Sequence, residues 1–577
     1  MNRTNRRMGI LAAMCIAAWS AGLAAAEKGS KPLFNGKDLT GWRKTGAGIF
    51  KVEDGCLVGT QIDGKGGDLW TEAKYDNFEL RVTYRVGWPA NSGFWFRHDG
   101  RRGYQYDVLK YKRPVAFSGT MYCPGKLFLT RNLNESLEKR DGWNEARLRA
   151  EGDELTLWLN GTKVGQCRDD TLSGGTIGIQ VHGGNGFKGM KIIIKKMEIL
   201  PLPAPPAGGV RFAMHRVGKC RSEACGVGDF NGDGKLDIVA GPFWYEAPKW
   251  KPHKFRELSG KVTPDGKGYF DDFMNAPLDV DGDGRLDVAT CCWFAKQMQW
   301  YRNTGKDEPW PMTVVDKSGN HELGDLWDVD GDGKADEIVP ATRHTTWFEV
   351  GVGEDGKKGL IRYEVCPKRR PFGNGVGDIN GDGRPDLIRP DVWFEAPTDI
   401  RKGKWKQHPL ALGSLDGKKP DHTPQIFVYD VDGDGANDII TSSAHKYGIF
   451  WYRQVRKGGQ VTWKQNLIDK SWSQAHSLML ADLDADGDLD LVTGKRFLAH
   501  NGGDPGSSDP IGVYWYELDR KSGVKWTQHV ISYGQDVGSA LNVVVADLDA
   551  DKDLDIVVTG KWGGPVLFEN KLKSAKK

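Results

Sequence analysis

Asp229-Phe-Asn-Gly-Asp-Gly-Lys-Leu-Asp237-Ile-Val-Ala240 carries oxygen-bearing side chains at its first, third, fifth and ninth positions, a glycine at its sixth, and a β-branched run directly behind. The same D-x-[DN]-x-D-x-x-x-D pattern recurs. After Asp229, Asn231, Asp233 and Asp237 come Asp279, Asp281, Asp283 and Asp287, then Asp328, Asp330, Asp332 and Asp336, then Asp378, Asn380, Asp382 and Asp386. Three further copies stand at Asp430, Asp432, Asp434 and Asp438; at Asp482, Asp484, Asp486 and Asp490; and at Asp547, Asp549, Asp551 and Asp555. In a sharply turned loop these alternate carboxylates converge on one point, glycine permits the turn, and the ninth-position aspartate completes an all-oxygen shell that suits Ca²⁺. Strands rather than helices flank each copy and no glutamate stands at position twelve, which argues against an EF-hand. The alternative is a set of solvated Asp-Gly turns holding no metal, and the seventh loop fits it best because Lys552 replaces the glycine.

Successive copies start about fifty residues apart, about 65 for the last interval, which is the period of a four-stranded propeller blade. Aromatic strands such as Phe243-Trp-Tyr-Glu246 and Tyr514-Trp-Tyr-Glu517 follow the loops, and a further strand recurs as Trp250-x-x-His253, Trp405-x-x-His408 and Trp526-x-x-His529. A relative, Phe212-x-x-His215, precedes loop one, and Val566-Leu-Phe-Glu569 lies near the chain's end, so the two ends are expected to share one blade. The expectation for residues 210–577 is a seven-bladed β-propeller with calcium loops. On these repeats the segment resembles the FG-GAP/VCBS repeats of integrin-type propellers, which implies Ca²⁺ in a structural role.

At 577 residues the chain exceeds one core. Arg3, Arg6 and Arg7, the apolar run Met8 to Trp19 and the small residues Ala24-Ala25-Ala26 read as a signal peptide over residues 1–26, hence a secreted or periplasmic protein. A lipid anchor at Cys15 is disfavoured by the large Met14 before it. No later stretch is long and apolar enough for a membrane span. Eighty basic against 77 acidic side chains leave a net charge of +3 with no basic run, which excludes a phosphate-tracking nucleic-acid binder. Of the eight cysteines beyond the signal, Cys220 and Cys225 are the best candidates for a disulfide, with buried free thiols as the alternative.

Residues 27–200, ahead of the Pro/Gly linker 201–209, lack the repeat and alternate in strand fashion. Phe78 to Tyr84, Gly93 to Arg97, Tyr104 to Val108, Leu155 to Leu159 and Thr176 to His182 read as strands of an antiparallel β-sandwich, with Asn160-Gly161 as a hairpin turn. Period two turns Phe94, Phe96, Tyr104, Tyr106, Ile177, Ile179 and Val181 one way. Trp95, Arg97, Gln105, Asp107, Gln180 and His182 face the other, as a concave surface suited to a polyhydroxylated ligand or merely as the wet face of a sandwich. Leu33-Phe-Asn-Gly-Lys-Asp-Leu-Thr-Gly-Trp42, Val52 to Val58, Asn91-Ser-Gly-Phe-Trp-Phe-Arg97, Trp143-Asn144, Leu159-Asn-Gly161 and Gly178-Ile-Gln-Val-His-Gly183 resemble the 3-keto-disaccharide hydrolase family, a concanavalin-like jelly roll. The chain departs from that family at Tyr104-Gln-Tyr-Asp107, where a Tyr-Glu-Val-Gln type of strand is usual, and at Phe187 to Lys191, where an Arg-Asn pair is usual.

The resemblance implies an all-β secreted enzyme acting on 3-keto-glycosides. The C3 ketone acidifies the C2 proton, a base removes it, the C1 substituent leaves by β-elimination, and water then adds. Asp107 or His182 is expected as base, Arg97 as electrostatic partner, Trp95 as stacking platform, and Gln105 and Gln180 as further ligands of the carbohydrate. The competing reading is a carbohydrate-binding or adhesion protein without catalysis. A third arises in the propeller, where His321, His344, His422, His445, His476 and His500 flank the loops and Gly494 to Asn501 is similar to the aldos-2-ulose dehydratases, implying a keto-sugar dehydratase with a divalent metal.

Overall fold

The computed structural model describes residues 29–205, 209–458 and 460–572; the expected signal peptide and Cys15 lie outside them. The described residues are strands and turns with three short 3-10 segments, Glu135–Leu137, Asn185–Phe187 and Ala499–Gly502, and contain no α-helix. Among them no helix is long and apolar enough to cross a membrane.

The N-terminal part is a jelly-roll sandwich. One sheet runs in the order Leu127–Asn132, Val115–Cys123, Tyr104–Lys112, Asn91–His98, Gly175–Val181, Gly67–Tyr75, Trp42–Gly46. The facing sheet runs Ile49–Glu53, Cys56–Thr60, Lys191–Pro201, Phe78–Gly87, Asn144–Glu151, Glu154–Leu159, Thr162–Arg168. Phe94, Phe96, Tyr104, Tyr106, Ile177, Ile179 and Val181 all turn into the space between the sheets and meet Leu80, Val82, Tyr84, Leu148, Leu157, Ile192 and Ile194. Each of these side chains contributes about 1.5–3 kcal/mol by leaving water, so the alternation is strongly fixed. At the expected hairpin, Asn160 and Gly161 both take left-handed backbone, with φ of 50° and 82°, as a two-residue turn matched to strand twist requires.

Beyond residue 209 the strands form antiparallel sets of four in a propeller-like arrangement, and each Asp loop joins the first two strands of a set. Phe212–Cys220 pairs with Gly564–Asn570 in one sheet, so both ends of this region meet there. The leading strands of successive sets touch in turn, and Val543–Ala546 returns to Cys225–Gly228. The expected seven separate blades are not what the hydrogen bonding gives: four sets stand alone as four-stranded sheets. Parallel pairing of Asn374–Gly377 with Gln425–Tyr429 fuses two more into an eight-stranded sheet, and the bridge Gln166 to Tyr533 makes another continuous with the jelly roll.

The recurrent Trp-x-x-His strands have a structural explanation. His253, His408 and His529 stack on Trp244, Trp393 and Trp515 at 4.2, 4.0 and 4.3 Å, and the Nε2 of each meets Glu246, Glu395 or Glu517 at 2.9, 2.7 and 2.7 Å. Each is a cross-strand pair contributing about 0.2–1 kcal/mol. The expected Cys220–Cys225 disulfide is absent: every described cysteine is a free thiol, and burial pushes both of these thiols up.

In the seventh loop Lys552 occupies the glycine position at φ 79° and donates its N–H to Asp547 Oδ2 at 3.0 Å, the bond Gly234 makes to Asp229 at 2.8 Å. Left-handed backbone costs a side-chain-bearing residue about 1–2 kcal/mol, of which glycine's extra chain entropy returns about 0.5–1. Lys552→Gly is therefore expected to raise stability by roughly 0.5–1 kcal/mol, read as an upward shift of the urea midpoint; an unchanged or lower midpoint would show that the lysine conformation carries no strain.

Candidate functional site

The outward face of the sheet around Asn91–His98 holds a cavity of about 350 Å³. Trp95, Gln105, Asp107, Gln180 and His182 all line it, together with Tyr111, Tyr122 and Phe128. Strand register brings them together: Gln180 pairs with Gly93, and Gly93 with Asp107 on the next strand. Gly93 has to lack a side chain, because a Cβ there would meet Gln105 Nε2 at 2.7 Å. Across that gap Gln105 Nε2 donates to Gln180 Oε1 at 3.0 Å, which fixes both amides as a polar floor.

Asp107 is 4% exposed, and no hydrogen bond or ion pair holds its carboxyl among the described residues. Burial therefore raises it well above the usual carboxylate range. His182 sits at the exposed lip just past Gly175–Val181, and its Nδ1 meets the carbonyl of Gly183. A carbonyl only accepts, so Nδ1 carries a proton. Asp107 and His182 come from strands on opposite flanks of Asn91–His98, two strand spacings or about 10 Å apart, enough for a sugar ring between them.

Arg97, expected on this face, is not there. Thr176 pairs with His98 but Gly178 with Trp95, so two residues, Phe96 and Arg97, stand against Ile177 alone, and Arg97 takes φ 49°. This bulge drives the guanidinium into the interior, fully buried, where it donates to the carbonyls of Asp76, Gly152 and Leu172 at 2.8, 2.7 and 3.2 Å. Simple alternation cannot reveal a bulge. His98 takes the vacated outward position, with its ring 4.2 Å from that of Trp70, and burial lowers its pKa. Gly178 makes that possible, since a Cβ there would meet the Trp70 ring at 2.4 Å.

Asp68, which the strand pattern above does not include, holds the pocket residue Trp95. Its Oδ1 accepts from Trp95 Nε1 at 3.1 Å, it pairs in register with Gln180, and burial raises its carboxyl while the hydrogen bond from Trp95 opposes that rise. A signal for it is present: Asp68 and Trp70 alternate with the core residue Leu69, a period-two strand.

The Asp loops have the expected form. Asp229 Oδ1 accepts from the N–H groups of Gly232 and Asp233 at 2.7 and 3.1 Å, and the later loops repeat the scheme. The ninth-position carboxylates turn inward, where Asp237 accepts from Ala247 and Phe230 and burial raises it to about 6. The third loop corrects the expectation: Glu337, not Asp336, makes that bond, accepting from Val329 at 2.8 Å, because the strand Glu337–Thr342 begins one residue later. Carboxylate oxygens of Asp279, Asp281 and Asp287 lie within 4.8 Å of one another, as do those of Asp328, Asp330 and Asp332, so an oxygen-seeking cation fits.

Of the six histidines expected to flank the loops, four converge: His445 lies 6.0, 5.0 and 4.5 Å, ring to ring, from His422, His476 and His500. Two do not join them. His321 is buried against Asp316 at 3.1 Å and the carbonyl of Gly319, and His344 contributes its backbone carbonyl, which accepts from Thr342 Oγ1 and Arg389 Nη1.

Residues 29–199 match the family model of the 3-keto-alpha-glucoside-1,2-lyase-like domain, and residues 430–493 that of the FG-GAP-like repeat. A curated 3-keto-disaccharide hydrolase of Bacteroides thetaiotaomicron is 36% identical over 74 residues, 11% of this chain and 26% of the relative, so the chain spans about a quarter of that relative's length. Among solved structures, carbohydrate-binding module CBM66 of Bacillus subtilis is 18% identical with a TM-score of 0.23, covering 28% of this chain and 96% of its own. A Bacillus subtilis protein with a galectin-like fold is 14% identical with a TM-score of 0.26, covering 30% and 96%. The chain is thus similar over residues 29–199 to a 3-keto-alpha-glucoside-1,2-lyase-like domain, and over residues 430–493 to an FG-GAP-like repeat.

Proposed function

We propose that the jelly-roll pocket is the active site of an exported enzyme that cleaves 3-keto-glycosides by β-elimination. The observation that carries this reading is the buried, unpartnered carboxyl of Asp107 facing the same cavity as His182. A neutral acid beside the developing oxyanion is one way in which an enolate-forming enzyme stabilises that charge. The match of residues 29–199 to the lyase-like domain supports the same chemistry.

With Arg97 in the core, the roles shift. His182 Nε2 takes the C2 proton and the C2–H electron pair passes into an enolate on the C3 oxygen; that pair then returns to form the C1–C2 double bond as the C3 ketone re-forms and the C1–O bond breaks, and the departing oxygen is protonated by solvent or by the imidazolium. Asp107 donates to the C3 oxygen as enolate charge develops, Trp95 stacks on the sugar, and Gln105 and Gln180 hold hydroxyls. Water then adds to complete hydrolysis. In the second part we read the Asp loops as binding Ca²⁺ for stability, with the protein exported through residues 1–26.

The direct test is release of free sugar from a 3-keto-disaccharide and from its unoxidised parent. Release from the keto form alone is expected; binding of both without release would establish a carbohydrate-binding protein instead. Asp107→Ala should lower kcat by about 10²–10³, the usual loss for one oxyanion donor, whereas Asp107→Asn, which still donates, should stay within about tenfold of wild type. A dead Asp107→Asn would make Asp107 the base. Calcium removal should lower the melting temperature and its return restore it; a melting temperature indifferent to chelator would leave the loops as metal-free turns.

A further inference from the structure

A second cluster stands apart from the jelly-roll pocket and from the Asp loops. Glu322 lies in His321–Trp327, His445 in the turn after Asp438–Ser442, and His476 in Ala475–Ala481, so three different strand sets deliver their side chains to one point. Their ligand atoms lie within 4.8 Å of one another. Glu322 Oε1 is 3.4 Å from His476 Nε2 and 3.8 Å from His445 Nε2. Both spacings exceed a normal hydrogen bond. His476 is 1% exposed, and neither of its ring nitrogens has a hydrogen-bond partner among the described residues.

Two ligands held 2.0–2.2 Å from one ion at the tetrahedral angle are separated by about 3.3–3.6 Å, close to what the glutamate and the two imidazoles show. We infer that Glu322, His445 and His476 form a binding site for a single zinc-class divalent ion, distinct in chemistry from the calcium-type loops. Two imidazoles with one carboxylate select a borderline transition ion over Ca²⁺ or Mg²⁺, which take oxygen shells.

The surroundings agree. Asp504 Oδ2 faces the other nitrogen of His445, Nδ1, at 3.3 Å, and Asp504 Oδ1 accepts from His500 Nδ1 at 2.9 Å, the arrangement by which a second carboxylate orients a metal-bound imidazole. Arg496 is neutralised by Glu223 through two bonds of 2.9 and 3.0 Å, so the negative charges of Glu322 and Asp504 remain for the ion. His422 is not a ligand, because its Nδ1 already accepts from the N–H of Phe372 at 3.0 Å. The segment carrying His500 is held in left-handed backbone at Leu498, His500 and Asn501, with φ of 48°, 49° and 57°, and such strain clusters at functional sites. His500 is exposed, so the cluster opens to solvent on its side, where an oxygen ligand completes the coordination.

The test uses the full chain, stripped of metal and resaturated with Ca²⁺, then titrated with Zn²⁺ by calorimetry and with Co²⁺ as a visible-absorption probe. One equivalent per chain, not displaced by excess Ca²⁺, is expected. Glu322→Gln and His476→Ala should abolish the Co²⁺ absorption, and Asp504→Asn should weaken Zn²⁺ binding about 10–100-fold. The isosteric Glu322→Gln, with wild-type circular dichroism, separates loss of the ion from loss of the fold. No stoichiometric Zn²⁺, or equal binding by wild type and Glu322→Gln, would overturn the site.

Discussion

The alternation of side chains along Asn91–His98 and its neighbours is the constraint on which the proposed chemistry rests. Burying Phe94, Tyr106 and Ile179 between the two sheets leaves Trp95, Gln105, Asp107 and Gln180 no direction but outward. A one-residue slip in register would turn the whole polar set into the core and the aromatic set into water, so the hydrophobic energy that folds the sandwich also holds the site in place. Gly93 and Gly178 then remove the volume that would otherwise separate Gln105 from Gln180 and His98 from Trp70. The carboxyl of Asp107 is the exception to good burial, and that exception gives the pocket its chemical character.

The jelly-roll pocket and the glutamate–histidine cluster differ in how they are made. The pocket is built from neighbouring strands of one sheet, with a buried carboxyl on one flank and an exposed imidazole on the other. The Glu322, His445 and His476 cluster is built where successive strand sets meet, from residues outside the repeated motif. Repetition supplies the same loop and the same Trp–His–Glu stack again and again, which serves the fold equally at each occurrence; the residues that single out one position are those that break the repeat.

Much of this was legible from residue order. Period two placed five of the six jelly-roll residues on the outward face and the Asn160-Gly161 pair marked its hairpin, because each follows from local geometry, while the pairing of the region's two ends followed from the repeat. It failed at Arg97, where a bulge inserts a residue, and at Asp68, whose strand lacks a long apolar run. The shift from Asp336 to Glu337 has the same origin as the Arg97 error, one residue of register. The parallel pairing that fuses two sets, the free state of Cys220 and Cys225, and the partners Glu322 and Asp504 depend on contacts distant in sequence, which spacing does not encode.

The assignment of His182 as base and Asp107 as neutral donor is tested most directly by hydrogen–deuterium exchange at C2 of a 3-keto-glycoside in D₂O, followed by NMR. Wild type and Asp107→Asn are expected to exchange the C2 proton and His182→Gln to lose that exchange. Exchange that survives in His182→Gln but vanishes in Asp107→Asn would reverse the two roles, and no exchange in wild type would remove the chemistry from this pocket.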